Sequence, residues 1–577
     1  MAHREPEQLS EYFRGASAEE LLEDPAFVAA WERLLRDCRH ATSFQSPAYV
    51  RTWYRHYRDT FQPIIVRRLG ADGEHQGLWL LAFNPSTGEL VHAGAHQSEY
   101  HLWLALPSHE AAFLSAAWVE LRRRLPFRSL RFRYLPSGSL VESLRNAGSI
   151  RPCMSVSVWV KPLLRLDPVE TRAWFAKKSS RDRFSRLRKL GSLEFRRIRT
   201  SAELRDLFDD IIAYYDLRQG AIHRAAPFGD DPARKPFHLA LLDVAPGITH
   251  VTVTFLNGRA ISAFLGFITG KTFHLEILAH SPLVAEHSPG KLHLMRLSEL
   301  LASEGIEILD LTPGGDPWKE HFATTHEDAA DVTLYRSGRA RQIAESAGLA
   351  LEWGKRIAAQ GGVRPAHLRR TWSAMQPASA VSAGRRVRAW VGATRELRVY
   401  RCDRSLAASL PLDARVQMNS VADLVRARSG RSRPNHAVLS MALERLERGE
   451  SSFTITIEGR LAHSGWLVVD AKEWFLGDAN QSIPMPEGSS AFYDFAAHAS
   501  PPGDGAFRAL LCHALRTISD EGRQGFLYVH VPSDDLHSRR VIESLGLEYQ
   551  GSLHWERRLG LERAWADPGL AMSPLTR

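Results

Sequence analysis

Residues 250–280 read HVTVTFLNGRAISAFLGFITGKTFHLEILAH, and this stretch decides the fold. It contains three apolar runs that are rich in β-branched and aromatic residues, namely His250–Leu256, Ala260–Thr269 and Thr272–Ala279. The turn formers Asn257-Gly258 and Gly270 separate these runs. The pattern therefore predicts three consecutive strands joined by tight turns.

Residues 281–311 read SPLVAEHSPGKLHLMRLSELLASEGIEILDL and continue the same unit. The loop Pro282–Gly290 leads into a predicted helix, Lys291–Glu304, and then into a predicted strand, Glu307–Leu311. Strands followed by a helix and another strand indicate an α/β fold of the α+β kind, with a mixed central sheet flanked by helices.

Elements of the same types return on both sides of this stretch, which indicates an internal structural repeat. A chain of 577 residues is also too long for one hydrophobic core, which stops growing near about 250–300 residues. We therefore predict tandem domains. The predicted divisions are an N-terminal domain (1–160), a middle domain (161–338), a basic helical linker (339–395) and a C-terminal domain (396–577).

The composition is that of an ordinary globular protein, with 44% hydrophobic and 24% charged residues. No stretch has the length and apolar character of a membrane helix, and the N-terminus does not resemble a signal peptide. We expect a cytoplasmic protein. The net charge of +9 favours anionic partners, such as phosphorylated cofactors or the surface of an anionic membrane that the protein binds peripherally. It does not indicate sequence-specific nucleic-acid binding.

Metal-ligand patterns are missing from the sequence. The four cysteines lie far apart, and the 25 histidines form no HExxH motif or His-Cys cluster. We predict no metal site.

The run Ser288-Pro289-Gly290-Lys291 is the first candidate binding site. Pro289 pre-sets the turn, Gly290 allows the backbone to approach a ligand closely, and Lys291 adds a positive charge at the start of the predicted helix. A cation there opposes the helix dipole, which favours a bound anion over a simple solvated lysine.

Three polar residues on or after the strand Glu307–Leu311 are candidates for binding or deprotonating an acceptor, namely Asp310, Asp316 and Lys319. A buried lysine with a lowered pKa would act as a base, whereas a charged one would hold an acyl oxygen or a phosphate. The residues leave both roles open. Asp316 fits a loop-capping role equally well.

A second candidate phosphate loop, Gly503-Asp504-Gly505, lies between a predicted strand and a predicted helix in the last third of the chain. This segment resembles the coenzyme A loop of GNAT acetyltransferases, whose pattern is [Gln/Arg]-x-x-Gly-x-[Gly/Ala], although Ser500 stands where the family has Gln or Arg. The segment His537–Leu547 is similar to the end of a GNAT domain, but Ile542 occupies the place of the tyrosine that protonates the leaving thiolate.

The middle third resembles a bacterial branch of the GNAT superfamily, the CelD-like acetyltransferases, which are relatives of the Fem aminoacyl transferases. The likeness rests on His287–Leu294 and on Gly305–Phe322, where His287 and Trp318 replace two tyrosines of the pattern. It extends to the aromatic segment Phe44–Tyr54, to Gln97–Tyr100 and to the basic helix Ser180–Leu190, so it spans most of residues 40–335.

This resemblance implies tandem GNAT-like domains and an acyltransferase that takes its acyl group from acetyl-CoA or another acyl-CoA. It also places Lys319 in the substrate cleft. The implied acceptor is an amine or hydroxyl of a cell-envelope or exopolysaccharide compound, or a small amine. Two alternatives stay open: a Fem-like transferase that uses aminoacyl-tRNA, and a non-catalytic scaffold in polysaccharide synthesis.

Overall fold

The computed structural model describes residues 10–167, 169, 177–360, 392–402, 410–429, 433–476, 481–498, 505–520, 525–558 and 561–570. The chain divides into two compact units. The first unit consists of Met1–Ile212, Asp231–His280 and His287–Ile357. The second consists of Ala213–Asp230, Ser281–Glu286 and Ala358–Arg577.

The first unit contributes strands β1 to β13. In chain order they are Glu11–Arg14, Gln62–Leu69, His75–Asn84, Glu89–His92, Leu104–Ala105, Ser129–Pro136, Met154–Arg165, Leu193–Ile198, Thr249–Leu256, Arg259–Thr269, Thr272–His280, Ile308–Asp310 and Thr325–Tyr335.

The α-helices in the first 360 residues are Ala16–Glu23, Pro25–Asp37, Pro47–Tyr57, Glu110–Arg124, Ser139–Asn146, Lys178–Lys189, Ser201–His223, Arg234–Val244, Pro289–Ser303, Pro317–Phe322 and Gly338–Gln360. Several begin with proline, whose missing N–H costs nothing in the first helical turn. Short 3-10 helices cover Ser43–Gln45, Arg151–Cys153 and Pro282–His287.

The strands of the first unit form two sheets. The smaller sheet has the order β1-β2-β3-β4, with β5 paired to β3. The larger has eight strands in the order β6-β13-β7-β12-β11-β10-β9-β8. Within it, β11 and β12 run parallel, and the other neighbours are antiparallel.

The three predicted strands joined by tight turns are confirmed as β9, β10 and β11, with antiparallel registers across both turns. The predicted helix of this region is confirmed as Pro289–Ser303. Its residues Leu294, Leu297 and Leu301 share one face by helical spacing and pack on Phe264 and Phe273 of the sheet. This packing fixes where the helix begins relative to β11.

The second unit contributes strands β14 to β25. They are Gly392–Cys402, Gln417–Met418, Arg428–Ser429, Arg433–Pro434, Ser451–Ile457, Arg460–Val468, Glu473–Leu476, Gln481–Pro484, Ser490–Ala497, Leu527–Pro532, Glu548–Arg558 and Leu561–Ala566. Its further helices are Val421–Val425, His436–Glu447, Ala506–Asp520 and Leu536–Ser544.

Eight of these strands form one sheet with the order β15-β18-β19-β22-β23-β14-β24-β25, and β16-β17 and β20-β21 are separate two-stranded ladders. The parallel pair of the large sheet is β22–β23, and the helix Ala506–Asp520 lies between these strands in sequence. Leu510, Leu511 and Ala514 of this helix are buried in the core of the second unit.

The predicted fold class, mixed α/β with central mixed sheets flanked by helices, is confirmed. The predicted four-part division of the chain stays a prediction. Strand β7 spans residues 160 and 161, where one division was predicted, and it lies in one sheet with strands from both sides. Of the predicted linker 339–395, residues 361–391 lie outside the described part of the chain.

Candidate active site

The opening between β11 and β12 is the centre of the candidate site. The two strands pair in parallel over only three residues, Thr272–His274 with Ile308–Asp310. Beyond this point β11 continues to His280, whereas the chain after Asp310 turns away, and the amide of Leu311 bonds to the carbonyl of Pro162 in β7. The carboxyl ends of the two parallel strands therefore separate, which is where α/β sheets commonly bind ligands.

The helix Pro289–Ser303 follows this opening. Its N-cap residue, Ser288, has a left-handed backbone (φ 54°) and makes no side-chain cap. Pro289 has no N–H group, and the N–H groups of Gly290 and Lys291 lie in the first turn, where a helix offers them no acceptor. The helix start therefore combines free donors with the positive end of the helix dipole.

Gly290 allows close approach at this helix start. A Cβ atom at position 290 would lie 3.1 Å from Nδ1 of His280, tighter than ordinary van der Waals contact. A side chain there would press on the His280 ring and occupy the space in front of the free N–H groups.

Lys291 lies near one imidazole and two cationic side chains. Its Nζ lies 3.0 Å from Nε2 of His321. Burial, followed by the charges of Arg183 and Lys177, lowers the pKa of the Lys291 ammonium. Within the residues that the structure describes, Lys291, Arg183 and Lys177 form no ion pair with a carboxylate. Lys291 at the helix start, with Arg183 of the neighbouring helix and Lys177 at the N-cap of that helix, provides the donors and charge that a pyrophosphate requires.

Asp310 is fully buried beside this opening. Its carboxylate accepts hydrogen bonds from the hydroxyl of Tyr100, from Nδ1 of His274 at 2.9 Å and from the amide of Thr312 at 2.8 Å. Burial alone raises the pKa of this carboxyl, but the bond and charge of His274, with Lys161 and Tyr100, bring it below the usual value. Asp310 is therefore ionised and has its acceptor positions filled.

His274 is the residue that sequence reasoning missed. Because the ionised Asp310 can only accept, Nδ1 of His274 carries a proton, so in the neutral imidazole Nε2 is the nitrogen with the lone pair. Nε2 is buried and has no hydrogen-bond partner among the described residues. The arrangement leaves His274 as a proton acceptor held in one tautomer by a carboxylate, the relation that orients the base in many hydrolases and transferases.

Glu276 lies two residues further along β11, on the same face as His274. Its side chain is only 1% exposed and lies 3.3 Å from Arg234 and 3.5 Å from His238. Burial raises the pKa of Glu276 to about 8, although the charge of Arg234 opposes the shift. The sequence signal for both residues is the alternation Phe273-His274-Leu275-Glu276, which places polar side chains on one face of an apolar strand.

Lys319 and Asp316 lie in the loop and short helix after β12. The Lys319 ammonium donates to the carbonyls of Thr312 and Pro313 at 3.2 Å and 3.3 Å and pairs with Asp316 at 3.3 Å. With these acceptors Lys319 holds the loop in place. The contacts therefore favour a positioning role, and the predicted catalytic roles of both residues stay predictions.

The second candidate loop is only partly described. Gly505, with φ 85°, precedes the helix Ala506–Asp520, whereas Gly503 and Asp504 lie outside the described residues. Here too the parallel strands β22 and β23 pair over three residues, Ser490–Phe492 with Leu527–Val529. Ile542 is fully buried in the hydrophobic core of the second unit.

Comparison with known proteins supports the class of the middle region. Residues 175–320 match the model of a family described as an acetyltransferase (GNAT) domain. The matched region, which contains β11, β12 and the helix between them, is therefore similar to a GNAT acetyltransferase domain. No curated relative matches the chain.

Several solved structures are similar to parts of the chain. The C-terminal domain of a putative lysylphosphatidylglycerol synthetase from Agrobacterium fabrum is 12% identical, with 56% of this chain and 95% of that chain covered and a TM-score of 0.37. FemX is 10% identical, with coverages of 53% and 96% and a TM-score of 0.38. A tandem GNAT protein from the clavulanic acid biosynthesis pathway is 14% identical, with coverages of 57% and 99% and a TM-score of 0.35. Similarity at these levels carries no inference about activity.

Among the residues that the structure describes, no three His, Cys, Asp or Glu side chains are grouped so that they could hold a metal ion. No described helix is long and apolar enough to cross a membrane.

Proposed function

We propose that the middle region transfers an acyl group from acyl-CoA to an amine or hydroxyl acceptor. The observation that carries this proposal is the helix start Gly290-Lys291 at the opening between β11 and β12, with Arg183 and Lys177 around Lys291. Its free N–H groups and cations fit the pyrophosphate of a coenzyme A thioester. The thioester supplies the acyl group, and acetyl-CoA is the simplest such donor.

In this proposal His274, oriented by Asp310, removes the proton from the acceptor's amine or hydroxyl group. His274 Nε2 would take the proton as the acceptor nitrogen or oxygen forms its bond to the acyl carbon. Asp310 stabilises the imidazolium that results and holds the ring in place. The C–S bond of the thioester would then break, and the departing coenzyme A thiolate would take up the proton from the imidazolium, which returns His274 to its neutral form. In this proposal Asp310 and Lys319 are positioning residues, since the first orients His274 and the second fixes the loop Thr312–Asp316.

The family resemblance suggests the acceptor class, which is a cell-envelope or exopolysaccharide compound or a small amine. The Gly505 loop of the second unit is proposed as a second or vestigial donor site. The interpretation of the chain as two tandem acyltransferase units rests on an arrangement that occurs in both units. In each, two strands pair in parallel over three residues, and a helix lies between them in sequence.

Calorimetric titration of the full chain with acetyl-CoA tests the donor site. We expect saturable binding by wild type and at least about tenfold weaker binding by Lys291→Glu, because the new carboxylate faces the donor's phosphates. The matched control is Lys271→Glu, since Lys271 lies 69% exposed at the turn before β11, paired with Glu307. Its affinity should equal that of wild type.

Three outcomes would contradict the proposal. Wild type that gives no heat at millimolar acetyl-CoA has no such donor site. Equal weakening by both variants would indicate a general charge effect. Salt-sensitive binding of tRNA in place of acetyl-CoA would point to an aminoacyl-tRNA donor.

A further inference from the structure

A cleft in the first unit lies apart from the opening between β11 and β12. It has a volume of about 730 Å³, within the usual range of ligand pockets. Two helices, Lys178–Lys189 and Pro289–Ser303, and strand β8 contribute most of its lining. Its apolar lining includes Phe184, Leu187, Leu193, Phe195, Leu292 and Leu300.

Four cationic side chains line this cleft or a depression that adjoins it. Arg188 and Arg296 line the cleft and also line this adjoining depression of about 530 Å³, together with Arg181 and Lys189. Arg296 bonds to Glu299 at 3.0 Å and lies 5.2 Å from the centre of the Phe184 ring. Within the described residues, the other three cations form no ion pair.

The helix Lys178–Lys189 places these groups on one face. Arg181, Phe184, Ser185 and Arg188 follow the spacing i, i+3, i+4, i+7, and all four line the depression. Arg186 lies on the opposite side of the helix, is exposed, and lines neither cavity. Positive charge is therefore concentrated in the depression, whereas the carboxylates Glu194 and Glu299 line the cleft itself.

These features define the chemistry of an occupant. Arg181, Arg188 and Lys189 line one depression and have no counter-ion among the described residues, so an anion beside them would relieve their mutual repulsion. A wholly polar anion would leave the apolar walls in water, whereas a hydrocarbon chain would bury them. A molecule with an anionic group and a hydrocarbon chain would therefore bind both the cations and the apolar walls.

We propose that this cleft is a second ligand site, for an amphiphile with a phosphate head and a hydrocarbon chain. The chain occupies the space between the two helices, and the phosphate lies in the depression and bonds to Arg188, beside Arg181 and Lys189. The site is separate from the proposed donor site at Gly290 and Lys291. The ligand reaches it either as a free molecule or from a phospholipid membrane surface.

Titration of the full chain with monomeric dodecyl phosphate tests the site. We expect saturable binding that is at least about tenfold tighter than that of inorganic phosphate or of the uncharged dodecyl maltoside. Arg188→Glu should weaken it at least about tenfold, whereas Arg186→Glu, the same charge change on the opposite helix face, should leave it within about twofold. Both substitutions are at exposed positions, so the fold is preserved.

Sedimentation with vesicles identifies the source of the ligand. Retention on phosphatidylglycerol vesicles but not phosphatidylcholine vesicles, lost in Arg188→Glu and kept in Arg186→Glu, assigns the site to a membrane phospholipid. Dodecyl phosphate binding without vesicle retention assigns it to a free amphiphile.

The proposal is overturned if both arginine variants weaken binding equally, or if inorganic phosphate binds as well as dodecyl phosphate. Absence of dodecyl phosphate binding overturns it as well. Acetyl-CoA binding by Arg188→Glu should equal that of wild type, so failure here is distinguishable from failure of the proposed donor site.

Discussion

Replacing His274 by glutamine is expected to lower kcat for acyl transfer by about 10²–10⁴-fold, the usual contribution of a general base. Glutamine fills most of the space of the imidazole but cannot take a proton at neutral pH. The dissociation constant for acetyl-CoA should stay within about twofold of wild type, because His274 lies on the acceptor side of the proposed site. Release of free thiol from acetyl-CoA, assayed with a panel of amines and amino sugars, measures the rate.

The control for this variant is His92→Gln. His92 is also buried, with 2% of its surface exposed, but it lies in the smaller sheet at β4. Its replacement should lower the melting temperature without lowering kcat. If His274→Gln and His92→Gln lose kcat alike, or if His274→Gln turns over at the wild-type rate, His274 is not the base.

Glu276 is expected to make the protein less stable as the pH rises from about 5 to about 8. Its pKa rises from an ordinary 4.5 to about 8 in the folded chain, mainly through burial. Between these values the folded state keeps a proton that the unfolded state has released, so the free energy of unfolding falls with increasing pH. The full effect of such a shift is roughly 5 kcal/mol, reached above pH about 8.

Other ionisable groups face this carboxyl from several elements. Arg234 and His238 lie on the helix Arg234–Val244, Arg133 lies on β6, and Glu99 precedes Tyr100. Arg234 and Arg133 lower the pKa of Glu276, and Glu99 raises it. A difference between variants is therefore needed to isolate the contribution of Glu276.

Chemical denaturation of wild type and Glu276→Gln across this pH range provides that difference. The glutamine variant cannot ionise, so its free energy of unfolding should fall less than that of wild type by several kcal/mol. Glu307→Gln, a change at a carboxylate that is 63% exposed, should follow wild type. Parallel curves for wild type and Glu276→Gln would show that Glu276 is already ionised in the folded protein.

Local sequence patterns predicted the part of the fold that surrounds the site. The predicted strands His250–Leu256 and Thr272–Ala279 differ by one residue at one end from Thr249–Leu256 and Thr272–His280. These elements are joined by turns whose residues, Asn257-Gly258 and Gly270, adopt positive φ. Turn chemistry and apolar alternation act over short distances in sequence, so they can be recognised without tertiary information.

Elements that depend on distant partners were missed. Strand β13, Thr325–Tyr335, begins with the polar residues His326, Glu327 and Asp328, which do not favour a strand on their own. Its partners are β6 and β7, which lie far earlier in the chain. Tertiary pairing therefore overrides local propensity in this strand, and no pattern in the neighbouring sequence predicts the strand.

The candidate site could be predicted only in part, because some of its residues come together only through tertiary pairing. The run Ser288–Lys291 and Asp310 could be selected because loop residues and a carboxylate stand out in the sequence. His274 could not be joined to Asp310, because only the parallel register of β11 and β12 places these two residues side by side. The contacts of Lys319 with the loop carbonyls also depend on how that loop folds.

Hydrogen exchange at the amides of Gly290 and Lys291, with and without saturating acetyl-CoA, locates the donor on the full chain. Both amides lie in the first turn of their helix, so they should exchange quickly in the free protein and become protected when they bond to the donor's phosphates. The first-turn amides of Phe507 and Arg508 provide the comparison in the second unit. We predict protection at Gly290 and Lys291. Protection at Phe507 and Arg508 with none at Gly290 and Lys291 would contradict the proposed donor site in the middle region.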